Sequence, residues 1–158
     1  MNAALAVPST RIIEALGAAG VLVSVAENFP LYVPGLVDDS RRVTPGCVFV
    51  AVRGSAQDGH DWLDQAAASG ASCALVEDAS RTTLPVIVVR DGRRAAAVAA
   101  AAFYDWPARA LQLVGVTGTN GKTTTVGLLR HLLDSPSAPA ASIGTLGVLL
   151  GSAGTVFP

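Results

Sequence analysis

"GCVFVAVRGSAQDGHDWLDQAAASGASCALVE", residues 46–77, holds two apolar, β-branched runs separated by a polar turn and a short helical pattern. The first run, 46–52, lies between Thr44-Pro45 and Arg53-Gly54-Ser55, the marks of a buried strand bounded by turns. Residues 61–71 have the spacing of a helix that closes at Gly70, and 72–77 resume at once as a strand. "LPVIVVRD", 84–91, supplies a third strand, since a proline is tolerated at a strand's start. Strand, helix and strand in this order predict a small α/β unit.

Upstream, "STRIIEALGAA" (9–19) has apolar residues at helical spacing behind a capping Ser or Thr. Downstream, 92–106 is an alanine-rich helix stopped by Pro107, and 110–116 is an apolar strand leading into "GTNGKTT". Residues 122–134 continue as a helix with Val126, Leu129 and Leu133 on one face. After a loop at 135–140, "ASIGTLGVLLG" returns to strand material. The expected boundary falls near residue 91, giving units at 1–91 and 92–158. The second is expected to be incomplete, because a strand feeding a phosphate loop needs further βα units to cover both its faces.

A net charge of −1 and a pI near 6.0 give no electrostatic reason to expect nucleic acid or an anionic membrane as partner. No apolar run reaches the ~18 residues of a membrane span. Arg11 and Glu14 interrupt the N-terminal apolar residues, which argues against a secretory signal. Cys47 and Cys73 sit in strand-like runs without C-x-x-C spacing, as reduced core thiols do, and point to the cytosol.

The order strand, glycine-rich turn, Lys-Thr, helix makes "GVTGTNGKTTT" (115–125) a candidate phosphate loop, although Val116 stands where the common G-x-x-x-x-G-K-[ST] pattern has its first glycine. Backbone N–H groups of Gly118, Thr119, Asn120, Gly121, Lys122 and Thr123, with Thr124 opening the helix, would surround a phosphate. Lys122 would reach the β- and γ-phosphates, and the Thr123 hydroxyl would coordinate Mg²⁺.

This loop resembles the ATP loop of the Mur ligase family, in which T-G-T-N-G-K-T-T is the ordinary form. "DSRRVTPGCVFVAVRGSAQDGH" (39–60) is similar to the N-terminal domain of the diamino-acid-adding members. The resemblance implies a small α/β uridine-nucleotide domain followed by the start of a P-loop, Rossmann-like ATPase domain. It also implies ATP and Mg²⁺ as cofactors. The reaction would convert the terminal carboxylate of UDP-MurNAc-L-Ala-D-Glu to an acyl phosphate, which the amine of diaminopimelate or lysine then attacks. By motif position Ser40, Ser55, Ala56 and Gln57 would contact the uridine and its diphosphate, and Lys122 would act in catalysis. A cytoplasmic monomer acting on small molecules, with no nucleic acid or membrane partner, is expected. The carbamylated lysine and the amino-acid-selecting domain of the family have no counterpart in 1–158, so this chain alone is not expected to ligate.

Thr119 and "SIGTLGV" (142–148) favour the diamino-acid-adding type over the D-Ala-D-Ala-adding, MurF-type relative. A stand-alone, non-catalytic module for a UDP-sugar is the alternative from another class. Within 39–77, Asp58 or Asp61 is expected to cap the following helix, and His60 to be a surface or capping residue. Arg41 and Arg42 are expected to be a solvated pair. Trp62 is expected in the core rather than as a platform for a base.

Overall fold

The computed structural model describes residues 6–54 and 57–156 and divides into two compact units, one ending at Leu111 and one beginning at Gln112. In the first unit β1 (Val7–Pro8) precedes α1 (Ser9–Ala18), β2 (Leu22–Val25), β3 (Tyr32–Val33) and β4 (Leu36–Val37). Then come β5 (Val48–Val50), α2 (Leu63–Ala68), β6 (Cys73–Val76), β7 (Val86–Val89) and α3 (Gly92–Phe103). The main sheet has the order β2-β7-β6-β5-β4; β4 to β7 are parallel and β2 joins antiparallel as an edge strand.

The central strands β5 and β6 are buried on both faces, as parallel strands with helices on either side must be. Val48, Val50, Cys73 and Leu75 face one cluster with Ile12 and Leu16 of α1 and Ala95 and Ala99 of α3. Cys47, Phe49, Ala51, Ala74 and Val76 face a second cluster with Leu63 and Ala66 of α2. Each large side chain so buried contributes about 1.5–3 kcal/mol. The two cysteines are free thiols in different clusters, and burial pushes the Cys73 thiol up to about 11.

Several expectations need correction. The boundary lies after Leu111 rather than near 91, because α3 packs on α1 and buries Ala95, Ala99 and Ala102 in the first unit. Helix α3 stops at Phe103, earlier than Pro107 required. Asp105 and Trp106 take left-handed backbone (φ 61° and 54°), and the Trp106 N–H donates to Ala101 O at 2.6 Å, closing the helix end before the proline. Ser9 does not cap α1; its N–H and Oγ both donate to Leu31 O, at 2.9 and 3.1 Å.

The second unit contains α4 (Lys122–Leu133) and a meander of β8 (Ala141–Gly144), β9 (Gly147–Leu150) and β10 (Thr155–Val156). Residues 112–117 form no strand, contrary to the reading of 110–116. Among the described residues no strand pairs with this run, so its apolar side chains have neither a ladder nor a covering layer; Leu113 is 72% exposed. Val126 and Leu129 of α4 are half-buried, while Leu133 is exposed rather than sharing their packed face. The Asp134 carboxylate accepts from Ala140 N (2.9 Å) and Ser152 N (2.7 Å) and so closes the loop behind α4.

Candidate functional site

The turn after β5 is built first by backbone. Arg53 pairs with Asp58 in an isolated antiparallel bridge, and Gly54 N donates to Gln57 O at 2.8 Å. Gly59 N then donates to Val52 O at 2.9 Å, and this approach demands glycine: a Cβ here would stand 2.7 Å from Val52 N. Asp58 caps the 3-10 turn that follows (Gly59–Trp62) by accepting from His60 N at 3.0 Å.

His60 is buried, not a surface residue: its side chain has no exposed area. Its Nε2 accepts from Glu77 N at 3.0 Å, which leaves Nδ1 to carry the proton and donate to Asp58 Oδ1 at 2.7 Å. Glu77, just past β6, accepts from Gly92 N at 2.6 Å, anchoring the start of α3, and its other oxygen meets Arg53 Nε at 3.2 Å. Arg81 closes the ring with Asp61 (2.6 Å) and Asp58 (3.4 Å). The imidazole thus ties the turn at 53–58 to the end of β6, and through Glu77 to α3.

Beside this turn lies a cleft of about 570 Å³ lined by Asp38, Asp39, Ser40, Arg41, Gln57, Trp62 and Gln65. Two of the sequence candidates, Ser40 and Gln57, meet here; Ser55 and Ala56 lie outside the described residues. Ser40 Oγ donates to Gln65 Oε1 at 3.2 Å. Trp62 is not in the core, being 41% exposed along the cleft wall. Arg41 is not simply solvated. Its Nε and Nη2 grip the Asp39 carboxylate at 2.9 and 2.7 Å, while Asp39 also accepts from Arg41 N.

That side-chain grip holds the Asp39 carboxyl at about 2, below its ordinary 3.8; the His60 N–H and ring hold Asp58 low as well. Both carboxyls ionise more readily in the folded chain. Their contribution is therefore complete above the unfolded value and is lost as pH falls through the folded one. Thermal melts should hold a level Tm down to about pH 4 and decline from there towards about pH 2. A Tm unchanged across that window would contradict these pairings.

In the second unit Gly121, with φ 76°, turns the chain into α4, and Thr125 N makes the first helical bond to Gly121 O at 2.9 Å. The amides of Lys122, Thr123 and Thr124 are therefore among the N–H groups a helix leaves without internal partners. Gly118, Thr119 and Asn120 precede them as an irregular bend, with Gly118 at φ 148°. Lys122 Nζ folds back on the loop and donates to Gly118 O, with Thr119 O at 3.4 Å. The tip of the β8–β9 hairpin comes to the same place: Ile143, Gly144 and Thr145 join Val116, Lys122 and Thr123 around a hollow of about 260 Å³. The loop and the "SIGTLGV" stretch, separate in sequence, share one wall. Among the described residues no group of three or more His, Cys, Asp or Glu could hold a metal. No helix among them is long and apolar enough to cross a membrane.

The family described as "Mur ligase family, catalytic domain" matches residues 33–104, from β3 through the end of α3. Over 113 residues the chain is 45% identical to a UDP-N-acetylmuramoyl-L-alanyl-D-glutamate--2,6-diaminopimelate ligase of Geobacillus thermodenitrificans, covering 72% of this chain and 23% of that one. This chain belongs to the Mur ligase family. A counterpart of the same name from Gloeobacter violaceus is 41% identical over 143 residues, 88% of this chain and 28% of the relative, a span that takes in residues of both units. A UDP-N-acetylmuramyl-tripeptide synthetase of Deinococcus radiodurans is 45% identical over 118 residues, 73% of this chain and 24% of its own. Among solved structures, MurF from Acinetobacter baumannii superposes with a TM-score of 0.65 at 25% identity, covering 83% of this chain and 28% of that one. MurF ligase from Thermotoga maritima in complex with ADP gives 0.52 at 36% identity over 62% of this chain and 22% of its own. The chain spans about a quarter of the length of the curated relatives it matches. The mixed α/β architecture is that of the Mur ligase structures.

Proposed function

We propose that this chain supplies two binding elements of an ATP-dependent ligase that adds a diamino acid to UDP-MurNAc-L-Ala-D-Glu in the cytoplasm, during peptidoglycan precursor synthesis. The first unit would hold the uridine diphosphate end of that substrate, and 118–124 would receive the phosphates of ATP. The observation that carries the reading is the meeting of Ser40 and Gln57 in one cleft beside the turn at 53–58. There a hydroxyl and an amide offer hydrogen bonds to a nucleotide diphosphate.

The diamino-acid-adding reaction is favoured over the MurF type by the names and identities of the sequence relatives, and by Thr119 with Ile143-Gly144-Thr145. In the second unit, Lys122 would exchange its bonds to the Gly118 and Thr119 carbonyls for phosphate oxygens, neutralising charge on the group being transferred. Thr123, one residue on in the first turn of α4, carries the hydroxyl that would hold Mg²⁺, an ion that when bound neutralises further phosphate charge. The α4 amides would orient the same phosphates. A carboxylate needs such activation because its direct displacement by an amine would expel oxide.

Calorimetric titration with UDP tests the first half. UDP is expected to bind saturably, and Ser40→Ala to weaken it by about 5-fold, the value of one ordinary hydrogen bond. Absence of heat at millimolar UDP would refute the uridine assignment.

A further inference from the structure

We infer that the Trp62 indole, exposed at the wall of the cleft, is the surface on which the uracil ring stacks. The inference rests on the uridine reading above and adds a residue to it. Trp62 is the one aromatic ring among the described residues that line the cleft; the others are Asp38, Asp39, Ser40, Arg41, Gln57 and Gln65. A large apolar plane left 41% exposed within an otherwise polar wall is suited to a flat ligand with a polar edge.

The backbone that carries the ring is anchored. Trp62 ends the 3-10 turn that Asp58 caps, and the next residue, Leu63, is buried at 1% exposure in the α2 cluster. The backbone at Trp62 therefore needs no ordering when a ligand arrives. Gln65, pinned by Ser40 Oγ at 3.2 Å, brings an amide with both a donor and an acceptor to the same wall. Uracil presents both kinds of group along its edge, so a stacked ring could be read by that amide.

Asp38 and Asp39 line the cleft, and their carboxylates do not repel an uncharged base as they would an anion.

The chain has two tryptophans, and Trp106 lies outside the cleft with the Arg109 guanidinium 4.7 Å from its ring. In a Trp106→Phe variant, Trp62 is the sole reporter. UDP is expected to quench its fluorescence with the same midpoint as the calorimetric isotherm, and pyrophosphate to leave it unchanged. Trp62→Leu is expected to weaken UDP roughly 10- to 100-fold, and Trp62→Phe to restore most of the affinity. If Trp106→Phe disturbs folding, the quench is read as the difference between the wild type and Trp62→Phe. UDP binding with unaltered Trp62 emission and an unweakened Trp62→Leu variant would overturn the stacking platform alone. No UDP binding by the wild type would overturn the uridine reading beneath it.

Discussion

Replacing His60 with alanine is expected to lower the unfolding free energy by about 2–4 kcal/mol, the largest loss among single changes at this site. The imidazole is buried without exposed side-chain area and uses both nitrogens. Its removal leaves the Glu77 N–H without its acceptor and opens a void between the 3-10 turn and the end of β6. A buried donor left unpaired costs about 1–3 kcal/mol by itself, and the void adds to it. His60→Phe separates the two effects, since it restores volume and neither hydrogen bond. It should recover only the packing part. Urea unfolding followed by far-UV circular dichroism reads both variants; a midpoint unchanged in His60→Ala would refute its role as the tie between the turn and β6. UDP affinity should fall alongside, because the turn at 53–58 loses its tie to β6.

The second large effect concerns nucleotide and not stability. Lys122→Ala is expected to weaken Mg·ATP binding by about 100-fold, equivalent to about 2.7 kcal/mol, while leaving the melting temperature unchanged. The lysine is exposed, and its partners are the Gly118 and Thr119 carbonyls, which water can satisfy in its absence. Calorimetry with Mg·ATP, run beside a thermal melt, checks both halves. Equal ATP affinity in the variant would remove Lys122 from the site, and a lowered Tm would show that its loop contacts are structural.

Much of the first unit was legible because its signals are local. Strands 46–52, 72–77 and 84–91 appear as β5, β6 and β7 within those bounds, since a strand buried on both faces reads as a continuous apolar run. The Asp58 cap also follows from residue type and spacing. Strands β2, β3 and β4 were not read: at two to four residues each they carry too little pattern, and they exist through pairing with distant partners. The run at 110–116 shows the reverse error. Its composition favours a strand, yet a strand needs a neighbour to accept its hydrogen bonds, and none of the described residues supplies one.

The candidate site divides in the same way. "GVTGTNGKTTT" by itself marked a candidate phosphate loop with Lys122 and Thr123 at the start of a helix, because that chemistry depends on consecutive backbone amides and needs no distant residue. "DSRRVTPG" and "DGH" likewise determined the family pattern. Only the tertiary structure decided what the polar residues between them do. His60 is indistinguishable in sequence from a solvated histidine beside a helix start. It became a buried link only when β6 placed the Glu77 N–H 3.0 Å from its ring. Trp62 carries the composition of a core residue, and whether an aromatic ring faces the interior or a cleft depends on which elements close around it. Here Leu63 and Ala66 are buried in the α2 cluster while Trp62 lines the cleft with Ser40 and Gln65, so the indole is left at the cleft wall.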